Sequence, residues 1–174
     1  MRKDVKRFLI VESQYALSQK VGRQLHAAKH VLVTAESCTG GGVAALVTDV
    51  AGSSQWFDRA FVTYSNEAKH AMIGVKESTL ETFGAVSEPV VQEMASGALA
   101  ASQGTLAVAI SGIAGPSGGS EHKPVGTVCF AWADTSGWQH VSTQYFTGSR
   151  REVRAQAVCY ALQIISEHLS PVIE

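Results

Sequence analysis

The sequence predicts a three-layer α/β/α sandwich with a mixed β-sheet, on three observations. Short β-branched runs alternate with segments whose apolar residues recur at three- and four-residue steps. Clusters of glycine, proline and serine punctuate these runs. One Ser-Gly pair, Ser136 and Gly137, separates two consecutive strand-like runs as a hairpin turn would. Helices alternating with strands, plus one hairpin, place helices on both faces of a partly parallel sheet. A length of 174 residues fits one domain, residues 1–174, and is short for two.

From Glu12 to Lys29, the residues Leu17, Val21, Leu25 and Ala28 mark one face of an amphipathic helix. It leads into HVLVTAE, a β-branched run suited to a buried strand. Beyond Gly40, Gly41 and Gly42, helical spacing resumes at Val43, Ala44, Leu46, Val47 and Val50, and AGSS closes the segment. RAFVTYS, Arg59 to Ser65, reads as a second strand, followed by the helical NEAKHAMIGV and a short helix over Ser78 to Phe83. The next segment has Ser87 as N-cap and Pro89 in the first turn, and ends at Gly104. TLAVAIS is a strand, GIAGPSGGSEHKP a loop with four glycines and two prolines, and VGTVCFAWAD and WQHVSTQYFT the two arms of the hairpin. A last helix runs from about Arg150 to His168 on Val153, Ala157, Tyr160, Ala161 and Ile164. The apolar VVQEMASGALAA has two uses open to it, burial inside the fold or against a second copy.

The chain is 45% apolar and 17% charged, the balance of a soluble globular protein. Its 14 basic residues meet 15 acidic ones, so the basic excess that nucleic-acid binding draws on is absent. Three cysteines without C-x-x-C spacing suggest neither a disulfide framework nor a zinc site, and the expected compartment is a reducing cytoplasm. At the start only four consecutive apolar residues follow the basic ones, fewer than the roughly 7–15 of a signal-peptide core. No stretch reaches the roughly 18 apolar residues of a membrane span. The six histidines show no ligand spacing, and no metal is expected.

The strand-to-helix corner VTAESCTGGG holds two nucleophiles, Ser37 and Cys38, before three glycines. The first amides of a helix lack intrahelical partners and carry the positive end of its dipole. The amides of Thr39, Gly40 and Gly41 therefore suit an oxyanion or a phosphate. The same residues also suit a plain N-cap with glycines for tight packing. Ala35 and Thr39 stand where a G-x-S-x-G elbow has glycine, and no lysine follows the glycines as in a P-loop. Adjacent residues on a turn point in different directions, so only one of Ser37 and Cys38 faces a given pocket.

TAESCTGG, AGSSQWFDRAFVTYSNEAK, IGV, GAVSEPVV, SGIAGPSGGSEHKPVGTV and FTGSRREVR together resemble the CinA C-terminal-domain family in its stand-alone form, from about Val21 to Leu169. Longer members carry a further N-terminal domain, for which this length leaves no room. The resemblance implies hydrolysis of the carboxamide of nicotinamide mononucleotide to nicotinic acid mononucleotide and ammonia, without cofactor or metal, and self-association. It also implies that Ser37 is the nucleophile, Lys69 its base and Tyr64 a proton relay. Lysine serves as a base only when burial or a nearby cation lowers its pKa. Without the resemblance, Lys69 reads first as a surface lysine beside Glu67, and Ser65, four residues before it, is a rival nucleophile. His70 points away from Lys69 on a helix.

The loop after the third strand exposes many amides, Gly115 among them, and carries Lys123, so it suits a ribose phosphate; a surface connection is the other reading. Ser111 and Gly112, at the strand end, are expected on the same sheet edge as Ser37. Arg150 matches the family arginine and Arg154 follows one turn later, both with the fork a phosphate favours. Ser149 replaces the usual family aspartate. It keeps a capping side chain but removes a charge beside Arg150.

Overall fold

A computed structural model describes the backbone of residues 2–170 and the side chains of residues 13–170. Six helices and five strands follow one another as α1 (Arg2–Ala28), β1 (Leu32–Glu36), α2 (Gly42–Thr48), β2 (Phe57–Val62), α3 (Asn66–Ile73), α4 (Glu77–Phe83), α5 (Glu88–Ala100), β3 (Leu106–Gly112), β4 (Thr127–Asp134), β5 (Gln139–Tyr145) and α6 (Arg150–His168). The sheet order is β2-β1-β3-β4-β5. β2, β1 and β3 run parallel, while β4 pairs antiparallel with β3 and β5, the last pair being the expected hairpin.

Pleat alternation sorts the strand residues between two cores. Leu32, Leu106, Val108, Ile110, Val128, Phe130 and Trp132 face α1, α2 and α6. The intervening Val33, Ala35, Ala107, Ala109, Cys129, Ala131 and Ala133 face α3, α4 and α5. Three layers result. The alanines of the second face let α5 lie close, and its Val90, Val91, Met94, Ala95 and Ala98 are buried there. The apolar face of α5 is therefore used inside the fold, which removes it as a reason for self-association. Among the described residues, no helix is long and apolar enough to cross a membrane.

Several boundaries differ from the sequence expectation; α5, for one, ends at Ala100 rather than Gly104. α1 begins at Arg2, because residues 2–11 contain neither glycine nor proline to stop a helix. It ends at a left-handed Lys29 (φ 58°), with the His30 amide donating to Leu25 O. β2 occupies Phe57–Val62 rather than Arg59–Ser65, because Ser65 is already the N-cap of α3, its Oγ accepting from the Ala68 amide at 3.0 Å.

Candidate active site

The site forms where the parallel strands end. Alternation carried past β1 separates the two candidate nucleophiles: Cys38 joins Leu32 in the α1/α2/α6 core, whereas Ser37 follows Val33 and Ala35 onto the α3/α5 side. Burial pushes the Cys38 thiol up to about 11, which keeps it protonated near neutrality. The Ser37 amide is fixed to Ile110 O of β3 at 2.9 Å. Its hydroxyl meets Lys69.

Lys69, on α3, is only 1% exposed, so it is not a surface lysine. Its Nζ lies 3.1 Å from Ser37 Oγ, 2.8 Å from Thr63 O and 3.5 Å from Ser65 O. Burial lowers the amine below its ordinary 10.5, with Cys38 and Glu67 opposing. A neutral amine has two N–H bonds and one lone pair, and the two carbonyls can only accept. As an ammonium, Lys69 donates to Ser37 Oγ, Thr63 O and Ser65 O; once it is deprotonated, N–H bonds kept on the two carbonyls leave its lone pair for the Ser37 hydroxyl. Ser65, the rival nucleophile, is occupied as the α3 cap, and the His70 ring bonds Val75 O at 2.9 Å.

Behind the corner, fully buried Glu36 takes the α2 amides. Its Oε2 accepts from Thr39 Oγ1 (2.7 Å) and the Val43 amide (3.1 Å), and its Oε1 from Thr34 Oγ1 (3.1 Å) and the Ala44 amide (3.0 Å). The positive end of α2 is thus neutralised from within the protein. Of the three amides expected to face an anion, that of Gly40 donates to Ser37 O at 3.0 Å. Those of Thr39 and Gly41 have no acceptor among the described residues. Sequence reading missed Glu36, although a single carboxylate ending an apolar strand was the available signal. In Glu36→Gln one carboxylate oxygen becomes an NH₂ facing donors, so one α2 amide loses its acceptor. A loss of about 1–3 kcal/mol is expected, read as a lower urea midpoint with unchanged m-value. An unaltered midpoint contradicts the assigned network.

Of the remaining predicted residues, Arg150, Gly115 and Tyr64 form a second group. Arg150 donates from Nη1 to Gly115 O and from Nη2 to Tyr64 OH, each at 2.9 Å. Tyr64 is 60% exposed, and its described bond is to Arg150 rather than to Ser37 or Lys69. Ser149 closes a capping box with Glu152, whose Oε2 accepts from the Ser149 amide at 2.7 Å, so the start of α6 is held without an aspartate. Gly112 packs where a Cβ would come 2.7 Å from Val128 Cγ2, and Gly115 (φ 81°) where one would come 2.5 Å from Val125 Cγ1. Ser111 is buried on β3 and, by alternation with Ala107 and Ala109, shares the face of Ser37. Lys123 is tied elsewhere, its Nζ donating to Phe83 O at the end of α4 (3.0 Å). Arg154 is bonded to the corner itself: Nε donates to Cys38 O at 3.1 Å and Nη2 to Thr39 O at 2.9 Å. A cavity of about 290 Å³ between α3 and α4, lined by Asn66, Glu67, His70, Glu77, Leu80 and Glu81, contains neither Ser37 nor Lys69. Among the described residues there is no cluster of three His, Cys, Asp or Glu side chains that could hold a metal ion.

Fold and site together define an α/β/α protein with a buried serine–lysine pair at the C-terminal edge of its parallel strands. Comparison with known proteins gives the family: the CinA C-terminal domain model matches residues 14–169, and the chain belongs to that family. The nicotinamide-nucleotide amidohydrolase PncC of Escherichia coli (strain K12) is 60% identical over 149 residues, covering 86% of this chain and 90% of that protein. The protein of the same name from Pseudomonas putida is 49% identical over 146 residues, covering 84% and 91%. The crystal structure of the competence/damage inducible protein CihA from Agrobacterium tumefaciens superposes with a TM-score of 0.86 at 43% identity, covering 90% of this chain and 94% of that one.

Proposed function

We propose that the chain hydrolyses the carboxamide of nicotinamide mononucleotide to nicotinic acid mononucleotide and ammonia, with Ser37 as nucleophile and Lys69 as base. The observation that carries this is the buried Lys69 amine, held by two carbonyls and directed at Ser37 Oγ across 3.1 Å. The relatives named amidohydrolases, more than half identical in the first case, supply the substrate class.

Lys69 removes the Ser37 proton as Oγ attacks the carboxamide carbon, and the unpartnered Thr39 and Gly41 amides receive the oxyanion. The Lys69 ammonium then protonates the leaving nitrogen and ammonia departs. Water, deprotonated by the same amine, attacks the acyl carbon and releases Ser37. Arg150 has five N–H donors, of which two are used on Gly115 and Tyr64, so it keeps donors for the nucleotide end of the substrate beside the glycine-rich loop. Three free thiols, at Cys38, Cys129 and Cys159, support action in the cytoplasm. Self-association is part of the proposal through the family resemblance, and light scattering of the purified protein reads it.

The deciding experiment is ammonia release from nicotinamide mononucleotide by the purified chain, with free nicotinamide as comparison. Release from the nucleotide well above that from the base is expected. Nucleotide binding without release overturns the enzyme in favour of a binding module.

A further inference from the structure

We propose that Arg154 is the positioning residue that aims the Thr39 amide at the oxyanion formed on Ser37, a role that rests on Ser37 being the nucleophile. The guanidinium reaches from α6 to two consecutive carbonyls of the corner, Cys38 O at 3.1 Å and Thr39 O at 2.9 Å. In a trans peptide the carbonyl and the following N–H point in opposite directions. Drawing Cys38 O toward α6 therefore turns the Thr39 N–H away from it, and drawing Thr39 O does the same to the Gly40 N–H.

The second peptide reveals where that opposite direction leads. The Gly40 N–H, opposed to a carbonyl held by the same guanidinium, donates to Ser37 O at 3.0 Å. The direction away from Arg154 therefore leads to the backbone carbonyl of Ser37, the residue that carries the nucleophile. The Thr39 N–H, one residue closer to the nucleophile, is turned to the same side and has no acceptor among the described residues. Glu36 secures the Thr39 side chain through Oγ1 at 2.7 Å, so side chain and amide of one residue are fixed from two elements.

The corner also needs an external clamp. Gly40 (φ 59°) and Gly41 (φ 88°) follow Thr39 directly, and two consecutive left-handed glycines leave a turn with many accessible conformations. A planar fork that binds two carbonyls at once removes that freedom. A lysine at the same position has a single ammonium and cannot present two fixed, parallel donors.

The test compares wild type, Arg154→Met and Arg154→Lys on nicotinamide mononucleotide and on its thioamide analogue, whose sulfur accepts hydrogen bonds poorly. Ser37→Ala serves as the control for the mechanism. In Arg154→Met, kcat is expected to fall at least about tenfold, against the roughly 10²–10³ lost when an oxyanion donor is removed outright. KM should stay within about twofold, and the oxygen-over-sulfur preference in kcat should shrink. Arg154→Lys should recover part of that preference. If Arg154→Met does not fold, the oxygen-over-sulfur ratio of Arg154→Lys decides alone. An unchanged ratio overturns the inference, as does a raised KM at constant kcat, which would make Arg154 a substrate-phosphate ligand. Full activity in Ser37→Ala instead overturns the serine mechanism itself, so the two failures are distinct.

Discussion

Ser37→Ala should lose deamidation by on the order of 10⁴-fold or more while keeping the fold, because removing a nucleophile leaves only binding and oxyanion stabilisation. The hydroxyl makes one described side-chain hydrogen bond, to Lys69, so the change in stability should be about 1 kcal/mol or less. Cys38→Ala is the informative companion. Its thiol belongs to the buried core on the opposite face, so truncation should lower the thermal midpoint and leave kcat within a few-fold. Single-turnover ammonia release and thermal unfolding read both variants. A fully active Ser37→Ala beside an inactive Cys38→Ala reverses the assignment of the nucleophile.

Lys69→Met carries the second large effect. A positioned general base contributes typically about 10²–10⁴-fold, and a loss of that size is expected in kcat/KM. Methionine matches the length of the lysine stem and fills the same buried space without a charge to desolvate. The wild-type pH profile should carry a further mark. Only the neutral amine accepts the Ser37 proton, so kcat/KM should rise with pH and level off above a pKa lowered by burial from 10.5. A flat wild-type profile, or near-normal turnover by Lys69→Met, removes lysine from the reaction.

The same amine makes stability depend on pH. In the native protein its pKa is depressed, while in the unfolded chain lysine keeps its proton up to about 10.4. Between those two values unfolding takes up a proton, so stability rises with pH across that window. Below the native value the full cost of burying the charge is present. Urea midpoints of wild type should therefore climb on the alkaline side relative to those of Lys69→Met, in which this contribution is gone.

Much of the fold was legible because it depends on neighbours in sequence. The β-branched runs at Leu32–Glu36 and Leu106–Gly112, the Ser149 cap, the Ser87–Pro89 helix start and the Ser136–Gly137 turn are local signals, although the Ser87 hydroxyl bonds Gly84 O rather than a helix amide. The structure places its elements where they fall. The end of β2 was missed because Thr63 and Tyr64 have strand-forming side chains, and only the Ser65 cap decides that the chain has already left the sheet. In the site, motif resemblance rather than periodicity brought out Ser37 and Lys69. Strand parity, which puts Ser37 with Ala35 and Cys38 with Leu32, was available in the sequence and separates the two nucleophiles.

The sequence alone determined the order of helices and strands, the division of strand residues between two faces, and the presence of a serine beside glycines with a lysine further on. Tertiary structure decided that Lys69 is buried and meets Ser37 across 32 positions, that Glu36 takes the α2 amides, and that Arg154 grips the Cys38 carbonyl from 116 positions away. The reason is physical: capping and pleat alternation are set by adjacent residues, whereas desolvation, an amine's pKa and the aim of an amide depend on whatever the fold brings within a few ångströms.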